Sequence, residues 1–84
     1  MEVPPKVVGG FYCSYCNSLT SLKGAPKEVI GDFDCSYCKS LKSLKDAPKE
    51  VGGDFSCINC GTQFTETDVK KVSNIKKGIF CRQW

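Results

Sequence analysis

Apolar residues recur at matching places along most of the chain. Phe11 and Cys13 alternate with mostly polar neighbours, as do Phe33 with Cys35 and Phe55 with Cys57. A period of two marks a short strand with one buried face, so three brief strands are expected. Leu19 and Leu22, then Leu41 and Leu44, follow at a spacing of three. The connector Gly24-Ala-Pro-Lys-Glu-Val29 comes next and returns as Asp46-Ala-Pro-Lys-Glu-Val51. A residue before proline is driven to extended geometry, so Ala25 and Ala47 should lie in an extended or turn-like return rather than a helix.

These matches share one period. Cys13-Ser-Tyr-Cys16 recurs as Cys35-Ser-Tyr-Cys38 and as Cys57-Ile-Asn-Cys60, each step being 22 residues. A fixed period of this size predicts coils stacked side by side. The pattern breaks after Cys60. Thr65-Glu-Thr67-Asp opens with helix-capping residues and early acids, and Val69 and Val72 stand three apart, which predicts a short helix over about 66–74. A last strand is expected over about 78–82. The expected fold is mainly β with one capping helix: a short solenoid of parallel strands with extended non-helical returns. Residues 1–62 form two and a half repeats and residues 63–84 a C-terminal cap.

The line Ile30-x-x-Phe33-x-Cys35-x-x-Cys38-x-x-Leu41-x-x-Leu44 resembles the leucine-rich repeat. Cys38 stands where that family has the inward Asn or Cys of its ladder. The return from Leu44 to Val51 is similar to the short Leu-Pro-rich return of bacterial effector repeats and of repeat proteins encoded by bacteriophages. The likeness covers about residues 3–62. It implies a non-enzymatic protein-binding module with a concave binding sheet, in a bacterial or phage setting as an inhibitor or adaptor acting on a host protein.

Composition narrows the functional classes. In 84 residues there is room for one thin core. Net charge is +3, too mild to imply nucleic acid without a basic stripe or motif, and no such motif appears. No histidine is present, which removes the commonest general base and the commonest metal ligand, and no activated nucleophile or acid pair stands in for it. The chain is therefore not expected to be an enzyme. It lacks the apolar run of a signal peptide or membrane span, and seven cysteines are an odd number for a disulfide scaffold. The expected location is cytoplasmic, with no membrane partner.

The cysteines admit two readings. Cys13, Cys16, Cys35 and Cys38 have the C-x2-C-x18-C-x2-C spacing of a four-thiolate zinc site, the basis of an alternative function as a zinc-stabilised domain binding nucleic acid. Alternatively, thiols act as small hydrophobes in two columns, Cys13/Cys35/Cys57 and Cys16/Cys38/Cys60, facing the solenoid interior. The second reading covers more of the sequence, because Phe, Leu, Ala, Pro, Glu and Val recur in register as well. No cofactor is favoured.

Residues that alternate with the buried positions should face outward and carry any partner. They include Tyr12, Tyr15, Asp32, Asp34, Tyr37, Asp54 and Ile58, a face with acids and tyrosines but no lysine. Rigid tyrosine rings suit interface centres, and acids steer a basic partner. Lysines fall instead in the turns and returns. The first strand has no evident N-terminal cap, which leaves end-to-end self-association open.

Overall fold

A computed structural model describes residues 4–81. Residues 1–3 of the expected repeat region and Arg82 of the expected last strand lie outside the described residues. The chain winds through three turns of a parallel β-solenoid. Four levels of strand result, each with two strands of two residues. The first level holds β1 (Lys6–Val7) and β2 (Phe11–Tyr12), the second β3 (Glu28–Val29) and β4 (Phe33–Asp34). The third holds β5 (Glu50–Val51) and β6 (Phe55–Ser56). A helix α1 (Glu66–Val72) then precedes β7 (Asn74–Ile75) and β8 (Ile79–Phe80).

Odd and even strands form separate parallel sheets, β1-β3-β5-β7 and β2-β4-β6-β8. The second sheet pairs Phe11 with Phe33, Phe33 with Phe55 and Phe55 with Ile79, so the phenylalanines stand in one column. Their rings follow at centroid distances of 5.6 and 5.0 Å. The first sheet stacks Val7, Val29, Val51 and Ile75 in the same way. It runs through the returns: behind each buried proline the chain is not merely extended but hydrogen-bonded to the preceding level, with Ile30 N–H donating to Val7 O and Gly52 N–H to Val29 O. Leu22, Leu41, Leu44, Val69 and the prolines Pro26 and Pro48 are buried as well.

Repetition extends to turns. Leu19 N–H donates to Cys16 O and Leu41 N–H to Cys38 O, both at 3.0 Å. Gly24 and Asp46 share a left-handed backbone, with φ of 87° and 71°, at equivalent ends of the Leu-x-x-Leu segment. Thr65 caps α1 reciprocally: its Oγ1 accepts from Asp68 N–H at 3.2 Å, and Asp68 Oδ2 accepts from Thr65 N–H at 2.9 Å.

The helix ends at Val72, short of the expected 74. Ser73 is already extended (φ −147°, ψ 147°), and Asn74 pairs with Glu50 on β5. Its Nδ2 also donates to Glu50 Oε2 at 3.1 Å. Sheet pairing with the preceding level thus outcompetes the last two expected helical residues. The inserted helix lengthens the register from 22 residues, seen in Asp32 to Asp54, to 24, seen in Asp54 to Gly78.

Candidate interaction surface

Tyr15, Tyr37 and Asn59 occupy the same place in successive levels, just after the strands of the second sheet. All three have left-handed backbones, with φ of 63°, 61° and 54°. Asparagine visits this region readily, whereas other side chains incur roughly 1–2 kcal/mol there. The backbone is held by the sheet, since Tyr15 N–H donates to Ser36 O at 3.0 Å and Tyr37 N–H to Ile58 O at 2.7 Å. The rings of Tyr15 and Tyr37 lie 4.7 Å apart and parallel to within 1°. Such a stack contributes about 0.5–1.5 kcal/mol beyond the burial of the rings themselves, against roughly 1–2 kcal/mol for each left-handed tyrosine.

Tyr15 is 69% exposed and Tyr12, on β2, 66%. Tyr37 is half-buried, and Ile58 is half-buried one level further along. These four residues therefore give the expected face an apolar edge. Phe80, 48% exposed, joins it because β8 pairs Phe80 with Ser56, extending the column of Tyr12, Asp34 and Ser56. Sequence reading missed Phe80. Aligning Cys81 with Cys57 across the longer register would have placed it.

The three aspartates do more than face outward. Asp32 Oδ1 accepts from Asp54 N–H at 2.8 Å, and Asp54 Oδ1 accepts from Gly78 N–H at 2.8 Å. Asp34 Oδ1 accepts from Ser36 N–H at 2.9 Å, while Ser36 Oγ accepts from Ile58 N–H at 3.1 Å. The carboxylates thus join successive levels or hold the turn after β4.

The cysteines turn mostly inward. Cys38 Sγ donates to Cys13 O and Cys60 Sγ to Cys35 O, each at 3.0 Å. Cys16 lies in the first of the described levels and is exposed, its sulfur reaching Ser14 O at 3.8 Å. Burial pushes the Cys13 thiol up to about 12 and also raises Cys38, Cys57 and Cys81. In the Cys35–Cys60 pair, the hydrogen bond between the thiols raises Cys35 and lowers Cys60. Among the described residues, no group of three or more Cys, Asp or Glu side chains converges as a metal site. Of the four candidate zinc ligands, Cys16 faces solvent while Cys13, Cys35 and Cys38 are buried.

Every described lysine is exposed. Lys42, Lys45, Lys49 and Lys71 border an open groove of about 590 Å³ between the returns and α1, together with Asp46 and Asp68. Lys70 pairs with Glu66 at 3.0 Å on the helix surface. Among the described residues, no helix is long and apolar enough to cross a membrane. No protein-family model, curated protein or solved structure matches the chain.

Proposed function

We propose that this chain is a leucine-rich-repeat module without catalytic activity that binds a protein through the tyrosine-bearing edge of its second sheet. The observation that carries the reading is the left-handed, stacked pair Tyr15 and Tyr37. Left-handed backbone at non-glycine residues clusters at functional sites, and a stacked aromatic pair with one ring exposed is suited to an interface centre. Tyr12 and Phe80 enlarge the apolar area, and Asp32, Asp34 and Asp54 favour a partner with basic residues around an apolar patch. The bacterial or phage setting, the cytoplasmic location and the role of inhibitor or adaptor toward a host protein rest on the repeat resemblance.

The third level supplies the test, because asparagine already serves at position 59. Tyr15→Asn with Tyr37→Asn should leave the fold intact. Affinity for a partner captured from bacterial lysate and then purified should fall on the order of thirtyfold, as loss of a hot-spot residue does. Unchanged affinity in the folded double variant would refute binding through this edge.

A further inference from the structure

Cys57 and Cys81 stand apart from the other cysteines. Ser56 and Phe80 are paired across β6 and β8, and Cys57 and Cys81 follow them directly in the parallel register. Cys57 N–H donates to Phe80 O at 2.9 Å, so the backbones remain hydrogen-bonded at this step. The two sulfurs are 2.9 Å apart. In the ladder, by contrast, Cys38 donates to the Cys13 carbonyl, and Cys60 divides its contacts between the Cys35 carbonyl and the Cys35 thiol. Neighbouring strands lie about 4.8 Å apart, within the range of Cα separations that a disulfide spans.

We propose that Cys57 and Cys81 are a dithiol that takes up an intramolecular disulfide from a low-molecular-weight disulfide, fastening the last level of the solenoid to the one before it. Cys81 is half-buried and accessible, whereas Cys57 is 2% exposed, which assigns the order of events. The Cys81 thiolate attacks one sulfur of the small disulfide and expels one small thiol. Cys57 then loses its proton and attacks the Cys81 sulfur, expelling the second. Two protein thiols are oxidised by two electrons, one small disulfide is reduced to two thiols, and the protein's two protons balance the leaving thiolates. The bond closes a loop of roughly 25 residues containing α1, which should raise the folding equilibrium constant on the order of a hundredfold.

The test uses the full chain carrying Cys16→Ser, which removes the exposed thiol. Reduced protein is incubated with graded ratios of oxidised to reduced glutathione, quenched with an alkylating agent, and read by intact mass, fragment mapping and thermal melting. Expected are loss of two hydrogens, a Cys57–Cys81 linkage, and a higher melting temperature that reverts on reduction. Cys81→Ala, checked for folding by circular dichroism, should show neither the mass change nor the stabilisation. A folded chain whose thiols all stay free in oxidised glutathione overturns the proposal, and so does a linkage mapped to Cys35 and Cys60. A Cys57–Cys81 linkage that leaves melting unchanged overturns the fastening role.

Discussion

The thiol of Cys38 donates to the backbone carbonyl of Cys13 at 3.0 Å, and Cys60 repeats the bond to Cys35 one level later. Each bond joins the second cysteine of one C-x-x-C turn to the first cysteine of the turn before it. The motif therefore acts as a staple between levels, with sulfur in the role of a small apolar filler that also carries a donor. Cys38→Ala should cost about 1–2 kcal/mol, combining lost packing with a lost donor to a buried carbonyl. Cys16→Ala removes no such bond and should change stability by less than about 0.5 kcal/mol. Urea unfolding of the two variants checks the contrast, and equal losses would contradict the staple.

Phe33 occupies the centre of its column, fully buried between Phe11 and Phe55. Truncating a buried phenylalanine costs about 3–5 kcal/mol, a large share of the stability of so small a domain. Phe33→Ala should therefore be largely unfolded at room temperature, as read by circular dichroism. Phe11→Ala, at the half-buried end of the column, should remain folded with a lower midpoint.

Stacking was legible because its signal is redundant: Phe, Cys, Leu and Val each repeat in register, and only adjacent levels satisfy all four at once. The first sheet, which runs through the returns, was less visible. Glu28–Val29 and Glu50–Val51 are too short to show alternation, and only the neighbouring level turns their extended returns into strands. The aspartate bonds were hidden for the same reason, since Asp32 meets the backbone of Asp54 and nothing in its own segment announces that partner. Of the candidate surface, the tyrosines were readable as outward-facing. Their left-handed backbone was not, because tyrosine has no preference for it; the faint sign was Asn59 at the equivalent place in the third copy.

Close stacking also limits which glycines can be changed. A Cβ on Gly61 would strike the carbonyl oxygen of Lys39 and approach Leu41 O at 2.8 Å, both backbone atoms of the preceding level. Nothing lies within 4 Å of the corresponding point on Gly9. Gly61→Ala should destabilise the fold by about 1–3 kcal/mol, whereas Gly9→Ala should be neutral or slightly stabilising. Thermal melting of the pair separates steric blockage by the adjacent level from a general effect of replacing glycine.

Buried thiols make stability sensitive to alkali. An unfolded cysteine ionises near 9, while Cys13 in the fold is held up to about 12, first by burial and then by neighbouring thiols. Over that interval the unfolded chain has lost a proton that the folded chain still holds, so rising pH favours unfolding. The contribution is complete below about 9 and disappears as pH climbs toward 12, at roughly 1.4 kcal/mol per pH unit for one such group. Cys57 and Cys81 are raised as well and act in the same direction. Unfolding free energy measured by urea titration under reducing conditions should be flat with respect to these thiols between pH 6 and 8, then fall steeply above 9. Cys13→Ala should begin less stable but fall less steeply, by roughly 1.4 kcal/mol per pH unit. Parallel slopes for the parent and Cys13→Ala would show that this thiol is not held protonated by the solenoid interior.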